Sequence, residues 1–550
     1  MKSKILYSVA LSGLLLTSCT DWLDINQSPN DALQSTVSND LLLSSVQNDL
    51  NYDRIAYSSN LCFLSQHWTK SGDVSGTYTF LTGLVMPQNF DGFWQTRYTR
   101  LANLNSIESK AIETGDAGYE GIAKTLKVIQ FRELVDMFGD VPYTEAALGN
   151  EALAPKYDKG ADIYADLLKQ MDRALECFTE VAGNAGYTIG ALKTADIMFN
   201  GDFKAWKRYA ASIKLSLLMR ISNVQDVSAQ VKELVADVMK IDENATNNPG
   251  YYKNAEKMNP LYEVWGYSYL DKEKSNHKYY VPTEELVKYM RETNNPLIRV
   301  FASPRVNLAN DEDGRANYDL FGLENERYIG VPYGQMSPAG GKFASKIGMG
   351  VLAKSSSYVD GPLQDLLVMQ GSLTGFYLAE AALRGMIDGG DAKAKEYYEA
   401  AVTSLFNTYE RALQDEALST DAEKSRPAIT TSATEAAKAF LSQNNAAVNW
   451  DLMTTTEEKM HAIQAQKWLS LYCVDPLEAW SEVRRTDMPN FLHASNSIAT
   501  TDYKLIARCL YPNTEKNLNP ENYVDGIDVY NDLVFWDQKN GNVDIAPVYQ

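Results

Sequence analysis

Residues 366–413 read LLVMQGSLTGFYLAEAALRGMIDGGDAKAKEYYEAAVTSLFNTYERAL, and this stretch decides the fold. Apolar side chains recur at helical spacing on both sides of Asp388-Gly389-Gly390-Asp391, as in Tyr398, Val402, Leu405 and Tyr409. Two such runs joined by a two-glycine turn predict paired antiparallel helices, 366–387 with 391–413. The same arrangement is expected of 118–138 with 160–180, where Tyr164, Leu167, Leu168, Met171, Leu175 and Phe178 keep the helical period. The run Tyr119–Phe138 is apolar around most of its circumference, which predicts a helix buried between neighbours. Helical hairpins of this length stack into arrays, so the expected fold is mostly α. It is a tetratricopeptide-like helical hairpin scaffold with long loop-rich insertions, although the full tetratricopeptide consensus is absent.

Outward from these pairs, Trp206, Ala210, Ile213, Leu217 and Ile221 continue the pattern, and it returns at about 455–484. Residues 241–360 differ. They are rich in Asn, Gly, Pro and Tyr, as in Asn247-Asn248-Pro249-Gly250-Tyr251-Tyr252, and read as long loops with a few short helices. The stretch 490–550 reads as irregular.

The N-terminal residues carry an address. Lys2 and Lys4 precede an apolar run from Ile5 to Leu16, and Leu16-Thr17-Ser18-Cys19 has the order of a lipobox. The run is shorter than the roughly 20 residues a membrane-spanning helix needs. The expected organisation is a signal peptide over 1–18, a tether over 19–30 lipidated at Cys19, and a single domain over 31–550 with its loop-rich section at 241–360. An ordinary secretory signal with a chance cysteine is the competing reading.

Composition narrows the function. The 550-residue chain has a net charge of −20, and without Lys2 and Lys4 it holds 49 basic against 71 acidic residues. That balance argues against nucleic acid and against a polybasic grip on lipid. Cys62, Cys177, Cys473 and Cys509 are far apart in apolar surroundings and read as buried small hydrophobes. The four histidines, His67, His277, His461 and His493, have no metal-ligand spacing, and HExxH, CxxC, GxSxG, P-loop and GxGxxG are all missing. The acidic loop Asn310–Gly314 fails as an EF-hand, having Ala309 and Leu320 where acids are required, which leaves only a looser calcium loop as an alternative. No metal and no cofactor is expected.

Aromatic residues in the less regular segments stand out: Trp68, Tyr78, Phe80 and Phe90, then Trp265, Tyr267 and Tyr269, then Tyr328 and Tyr333. Rings on loops can bury the C–H faces of sugars or extended peptides, whereas the competing reading has them plugging loops onto the core. The best candidates for a stacking face are Trp68, Tyr78, Trp265, Tyr267 and Tyr333. Trp265 is singled out because Glu263-Val-Trp-Gly-Tyr267 reads as too irregular for a core helix.

Several motifs in order resemble the SusD/RagB family, in its SusD-like branch of nutrient-binding lipoproteins. They are Cys19-Thr-Asp-Trp-Leu-Asp-Ile-Asn, Asp136-Met-Phe-Gly-Asp-Val-Pro-Tyr143 with Glu145-Ala146-Ala147, Pro155-Lys-Tyr-Asp158 with Ile163-Tyr164, and Gly201-Asp-Phe-Lys-Ala-Trp206 with Arg220-Ile-Ser222. Further along come Leu378-Ala-Glu-Ala-Ala-Leu-Arg-Gly385, Glu478-Ala-Trp-Ser-Glu-Val-Arg-Arg-Thr486 with Pro489, and Arg508, Tyr511-Pro512, Glu515, Asn519 and Trp536. Asn295-Pro-Leu-Ile-Arg299 departs from the family's usual triplet. The matched residues read as structural: Asp140 and Pro142 stop a helix, Glu380 and Arg384 lie one turn apart, and Arg484 and Arg485 anchor packed helices through carboxylates or carbonyl ends.

The resemblance implies an outer-membrane lipoprotein facing the cell exterior. It would capture oligosaccharides or peptides and hand them to a SusC-like TonB-dependent outer-membrane transporter, without catalysis. A lipid-anchored glycan hydrolase and a periplasm-facing helical-repeat adaptor are the alternatives.

Overall fold

Among the described residues of the computed structural model there are nine helices of eleven residues or more: α1 (Asn39–Ala56), α2 (Asp91–Thr114), α3 (Ala117–Phe138), α4 (Gly160–Gly183), α5 (Phe203–Ile221), α6 (Gly371–Leu383), α7 (Gly390–Thr408), α8 (Thr456–Ser470) and α9 (Pro476–Thr486). The described residues are 37–71, 79–148, 152–184, 186–304, 327–334, 344–418, 427–495, 503–538, 541 and 543–544. Cys19 and its tether, Tyr78 and the 310–314 loop lie outside them.

The expected pairs form. α3 packs on α4 and also on α2, and α6 packs on α7. In α4 the buried side chains are Ile163, Tyr164, Leu167, Met171, Ala174, Cys177, Phe178 and Val181, one stripe at helical spacing. α3 is buried on all sides except at Ala117 and Lys127. Asp116, Asp202 and Asp475 cap α3, α5 and α9 by accepting from first-turn amides, and Thr455 with Glu458 forms a capping box on α8. The close approach of α6 to α7 needs Gly375, where a Cβ would stand 2.8 Å from that of Ala401. The four cysteines are buried and unbridged.

One element differs from its expected form. Residues Leu366–Gln370 are a strand, not the start of a helix, and pair antiparallel with Asn244–Asn247. A short, fully apolar run has no period that separates strand from helix, and here the ladder with 244–247 decides. Gly371 then begins α6 against the backbone: a Cβ there would lie 2.3 Å from the carbonyl oxygens of Lys240 and Glu243. Between 241 and 360 the described helices are short, the longest being Glu284–Glu292.

The family-like motifs meet in the core. Glu380 of α6 accepts from both terminal nitrogens of Arg485 at 2.7 and 2.6 Å, from Lys467 at 3.2 Å and from Arg384 at 3.0 Å. Glu482 pairs with Lys467 at 2.6 Å and Arg485 at 2.6 Å, and lies 3.4 Å from Arg220. Arg220, on α5 and fully buried, also reaches Glu478 at 2.6 Å and Asp136 at 3.7 Å. Arg484 donates to the carbonyls of Asp136 and Ala507 at 2.7 and 2.9 Å. Thus five helices, α3, α5, α6, α8 and α9, are tied by charges that water does not reach.

Removing one member of such a cluster leaves its partners buried and unpaired, which costs about 3–5 kcal/mol. Glu380→Gln is therefore expected to lower the unfolding free energy by about that amount in urea titrations, with helix content kept at zero denaturant. Acid should act on the same groups. Arg485 and Lys467 hold the Glu380 and Glu482 carboxyls well below the usual range, so their contribution is present above about 4.5 and lost as pH falls further. His67, buried against Trp468, is held down to about 3 from its ordinary 6.5, so the unfolded chain takes up a proton that the fold refuses between those values. Stability should then decline below about pH 6.5, and His67→Gln should flatten that first limb by up to about 1.4 kcal/mol per pH unit, as read from denaturation midpoints.

Candidate ligand-binding face

Asn259-Pro260 opens a helix that sequence periodicity overlooks. The Asn259 side chain accepts from the amides of Leu261 and Tyr262 at 2.9 and 3.3 Å, and Pro260 occupies the first turn, giving the short helix Pro260–Trp265. Gly266 ends it, and the chain turns through a hairpin in which Tyr267 bridges to Glu273, with Tyr269 and Leu270 at the tip. Opposite, the Ser357 hydroxyl accepts from the amides of Val359 and Asp360, each at 3.2 Å, and this turn presents Tyr358. A third segment enters through Asn248, whose side chain accepts from Gly250 and Tyr251 at 2.9 Å and brings Tyr252 to the surface.

These three segments are tied side by side. The Tyr267 and Tyr358 rings meet edge to face at 4.9 Å, and Lys253 pairs with Asp271 at 2.6 Å. The Asn259 amide donates to Pro362 at 2.8 Å, and Asn248 donates to Asp365 at 2.7 Å. Tyr252, Tyr269 and Tyr358 are 50%, 41% and 40% exposed, and Leu270, Val359 and Leu363 are exposed with them. Exposed apolar groups on segments tied side by side make this face the candidate for ligand binding. Behind them Tyr262 is fully buried, and its hydroxyl has no hydrogen-bond partner among the described residues. Burial raises the Tyr262 and Tyr267 phenols above their ordinary value, so both stay neutral hydroxyls. The face can stack on flat apolar surface and exchange hydrogen bonds through hydroxyls and the Lys253–Asp271 pair.

Among the four described rings of the five singled out in the sequence, Tyr267 alone belongs to this face, half-buried beneath Tyr358. Trp68 and Trp265 lie inside the core, 4.9 Å apart and essentially without exposure, with the Trp265 indole donating to the Ile55 carbonyl at 2.9 Å. Tyr333 is buried beside Gly334 and Ser495, its amide donating to Glu285 at 3.3 Å. None of the three offers a ring face to solvent, so the structure corrects their expected role: they pack loops onto the scaffold. Phe80, Phe90 and Tyr328 are buried as well. Tyr78 is outside the described residues. Tyr358 was legible only through its contact with Tyr267, some ninety positions earlier in the chain.

A concavity of about 530 Å³ lies elsewhere, between α2, α3 and α4. Its chemistry differs. Glu108 is bridged at 2.5 Å by both Lys124 and Lys127, and the Tyr143 hydroxyl is taken up by Asp166 at 2.5 Å. It is a groove of satisfied charges without an exposed stacking ring. Among the described residues no group of three His, Cys, Asp or Glu side chains could hold a metal ion, and no helix is long and apolar enough to cross a membrane.

A family model described as SusD-like, starch-binding and associating with the outer membrane, matches residues 29–512, so the chain belongs to that family. Solved structures share the fold. A SusD homolog from Bacteroides fragilis is similar at a TM-score of 0.68 and 21% identity, over 91% of this chain and 100% of that one. A chitin-binding protein is similar at a TM-score of 0.68 and 24% identity, over 91% and 100%. A chitin-binding SusD homolog from Flavobacterium johnsoniae is similar at 0.67 and 20%, over 90% and 97%. A search of curated protein sequences gives no significant match.

The two kinds of ring should separate on mutation. Trp265→Ala should cost about 3–5 kcal/mol in chemical denaturation, the range for truncating a buried aromatic. Tyr269→Ala and Tyr358→Ala, at exposed positions, should each stay within about 1 kcal/mol of the parent.

Proposed function

We propose that this protein is a lipid-anchored capture protein on the outside of the outer membrane. It holds oligosaccharides against the Tyr252–Tyr269–Tyr358 face and passes them to a SusC-like TonB-dependent transporter, without cleaving them. The observation that carries this reading is the exposed tyrosine face on a scaffold of the starch-binding, outer-membrane-associated family. The chitin-binding relatives favour a glycan over a peptide as the cargo. The lipobox at Cys19 supports the anchor, and the acidic chain suits a neutral ligand.

Open stacked sites bind weakly, at about micromolar to millimolar, or −8 to −4 kcal/mol. Titration of the mature protein with starch-derived and chitin-derived oligosaccharides should give binding in that range, with the sugars recovered intact. The double variant Tyr269→Ala/Tyr358→Ala should weaken it by roughly tenfold or more, equivalent to about 1.4 kcal/mol, with the melting temperature held. Hydrolysis of the sugars, or unchanged binding by the double variant, would contradict the proposal.

A further inference from the structure

His277 lies directly behind the tyrosine face and is 3% exposed. Its Nδ1 is 2.7 Å from a carboxylate oxygen of Glu273, and its Nε2 is 2.9 Å from the carbonyl oxygen of Ile347. Neither partner can donate. A carbonyl only accepts, and the Glu273 carboxyl, held down to about 2 by His277 and then by Lys346 at 2.7 Å, is ionised. A neutral imidazole has one N–H and can satisfy one of these two acceptors. The other contact would set lone pair against lone pair. Both contacts together require the imidazolium.

The two acceptors belong to different parts of the face. Glu273 closes the hairpin that carries Tyr269, through its bridge to Tyr267. Ile347 belongs to the segment that pairs with Ala302, on the opposite side of the ring. The Tyr267 ring, which supports Tyr358, packs on the imidazole at 5.1 Å. The charged and titratable groups facing the ring are thus Glu273 and Tyr267 from the hairpin and Lys346 from the other segment, with Lys274 just before, and Lys278 within, its own short helix Ser275–Tyr279.

We infer that His277, as an imidazolium, is the positioning residue of the tyrosine face, pinning the 267–273 hairpin to the 344–347 segment. Loss of its second proton releases one of the two contacts and loosens the hairpin. The positioning role stands on these contacts and on the ion pair of Glu273 with Lys346, and its effect on sugar binding rests on the function proposed above.

The test uses the mature chain, with amide hydrogen-exchange protection factors for 267–273 followed from about pH 5 to about pH 8 alongside the imidazole nitrogen resonances of His277. Both ring nitrogens should carry protons at the acidic end. Hairpin protection should fall about tenfold or more as the ring titrates, with the α3–α4 amides unaffected. Oligosaccharide affinity should fall over the same interval. His277→Gln should show weak hairpin protection at every pH. Glu273→Gln offers an amide N–H to Nδ1, so a neutral ring then satisfies both neighbours. That variant should keep the hairpin protected and lose the pH step. A pH step in protection without sugar binding would support the positioning role and contradict the proposed function. Protection that does not change as the ring titrates, a ring already singly protonated at the acidic end, or a pH step that survives in Glu273→Gln would overturn the inference.

Discussion

The ion cluster around Arg220, Glu380, Glu482 and Arg485 is the constraint on which the rest of the structure depends. Four carboxylates, from Asp136, Glu380, Glu478 and Glu482, face four cations, from Arg132, Arg220, Lys467 and Arg485, in a region where every one of these side chains is almost wholly buried. Such pairs give little net stability over apolar residues of the same volume, but a mispaired arrangement would leave a charge uncompensated in the interior. The observed placement of α3, α5, α6, α8 and α9 gives every one of these charges an opposite partner. The cluster therefore acts as a register for the helices, and hydrophobic stripes such as that of α4 close around it.

The loop-rich section hangs on this register through a few contacts at its borders. The strand Leu366–Gln370 runs straight into α6, so the ladder it makes with Asn244–Asn247 fixes where that section begins. Arg54 of α1 donates to the Val368 carbonyl at 2.8 Å, and the Trp265 indole reaches back to Ile55 of the same helix. Buried tryptophans thus serve the site indirectly, by holding the loops whose tips carry tyrosine. The helical side carries the opposite chemistry, a groove in which lysines and glutamate neutralise one another.

Helix pairs were legible in the sequence because their signal is local and periodic, as in Tyr164 through Phe178 or Tyr398 through Tyr409. The structural character of Glu380, Arg484 and Arg485 was legible too, because Glu380 and Arg384 lie one turn apart and the two arginines fall in a motif that reads as a helix anchor. The strand at 366–370 was not, because four consecutive apolar residues have no period. Trp265 reads as irregular from the glycine that follows it, whereas the Asn259-Pro260 cap before it starts the short helix that carries it into the core. The site was least legible. Loop aromatics are easy to find in a sequence, but whether a given ring faces inward or outward depends on distant neighbours: Trp68 covers Trp265, whereas Tyr269 and Tyr358 stay 41% and 40% exposed.

The proposed function confines ligand recognition to the tyrosine face and leaves the helical scaffold only to position it. Hydrogen-exchange difference mapping with and without a saturating oligosaccharide tests this most directly. New protection is expected in 250–273 and 356–365, with the amides around Glu108, Lys124 and Tyr143 unchanged. Protection centred on that groove, with the tyrosine segments unaffected, would contradict it.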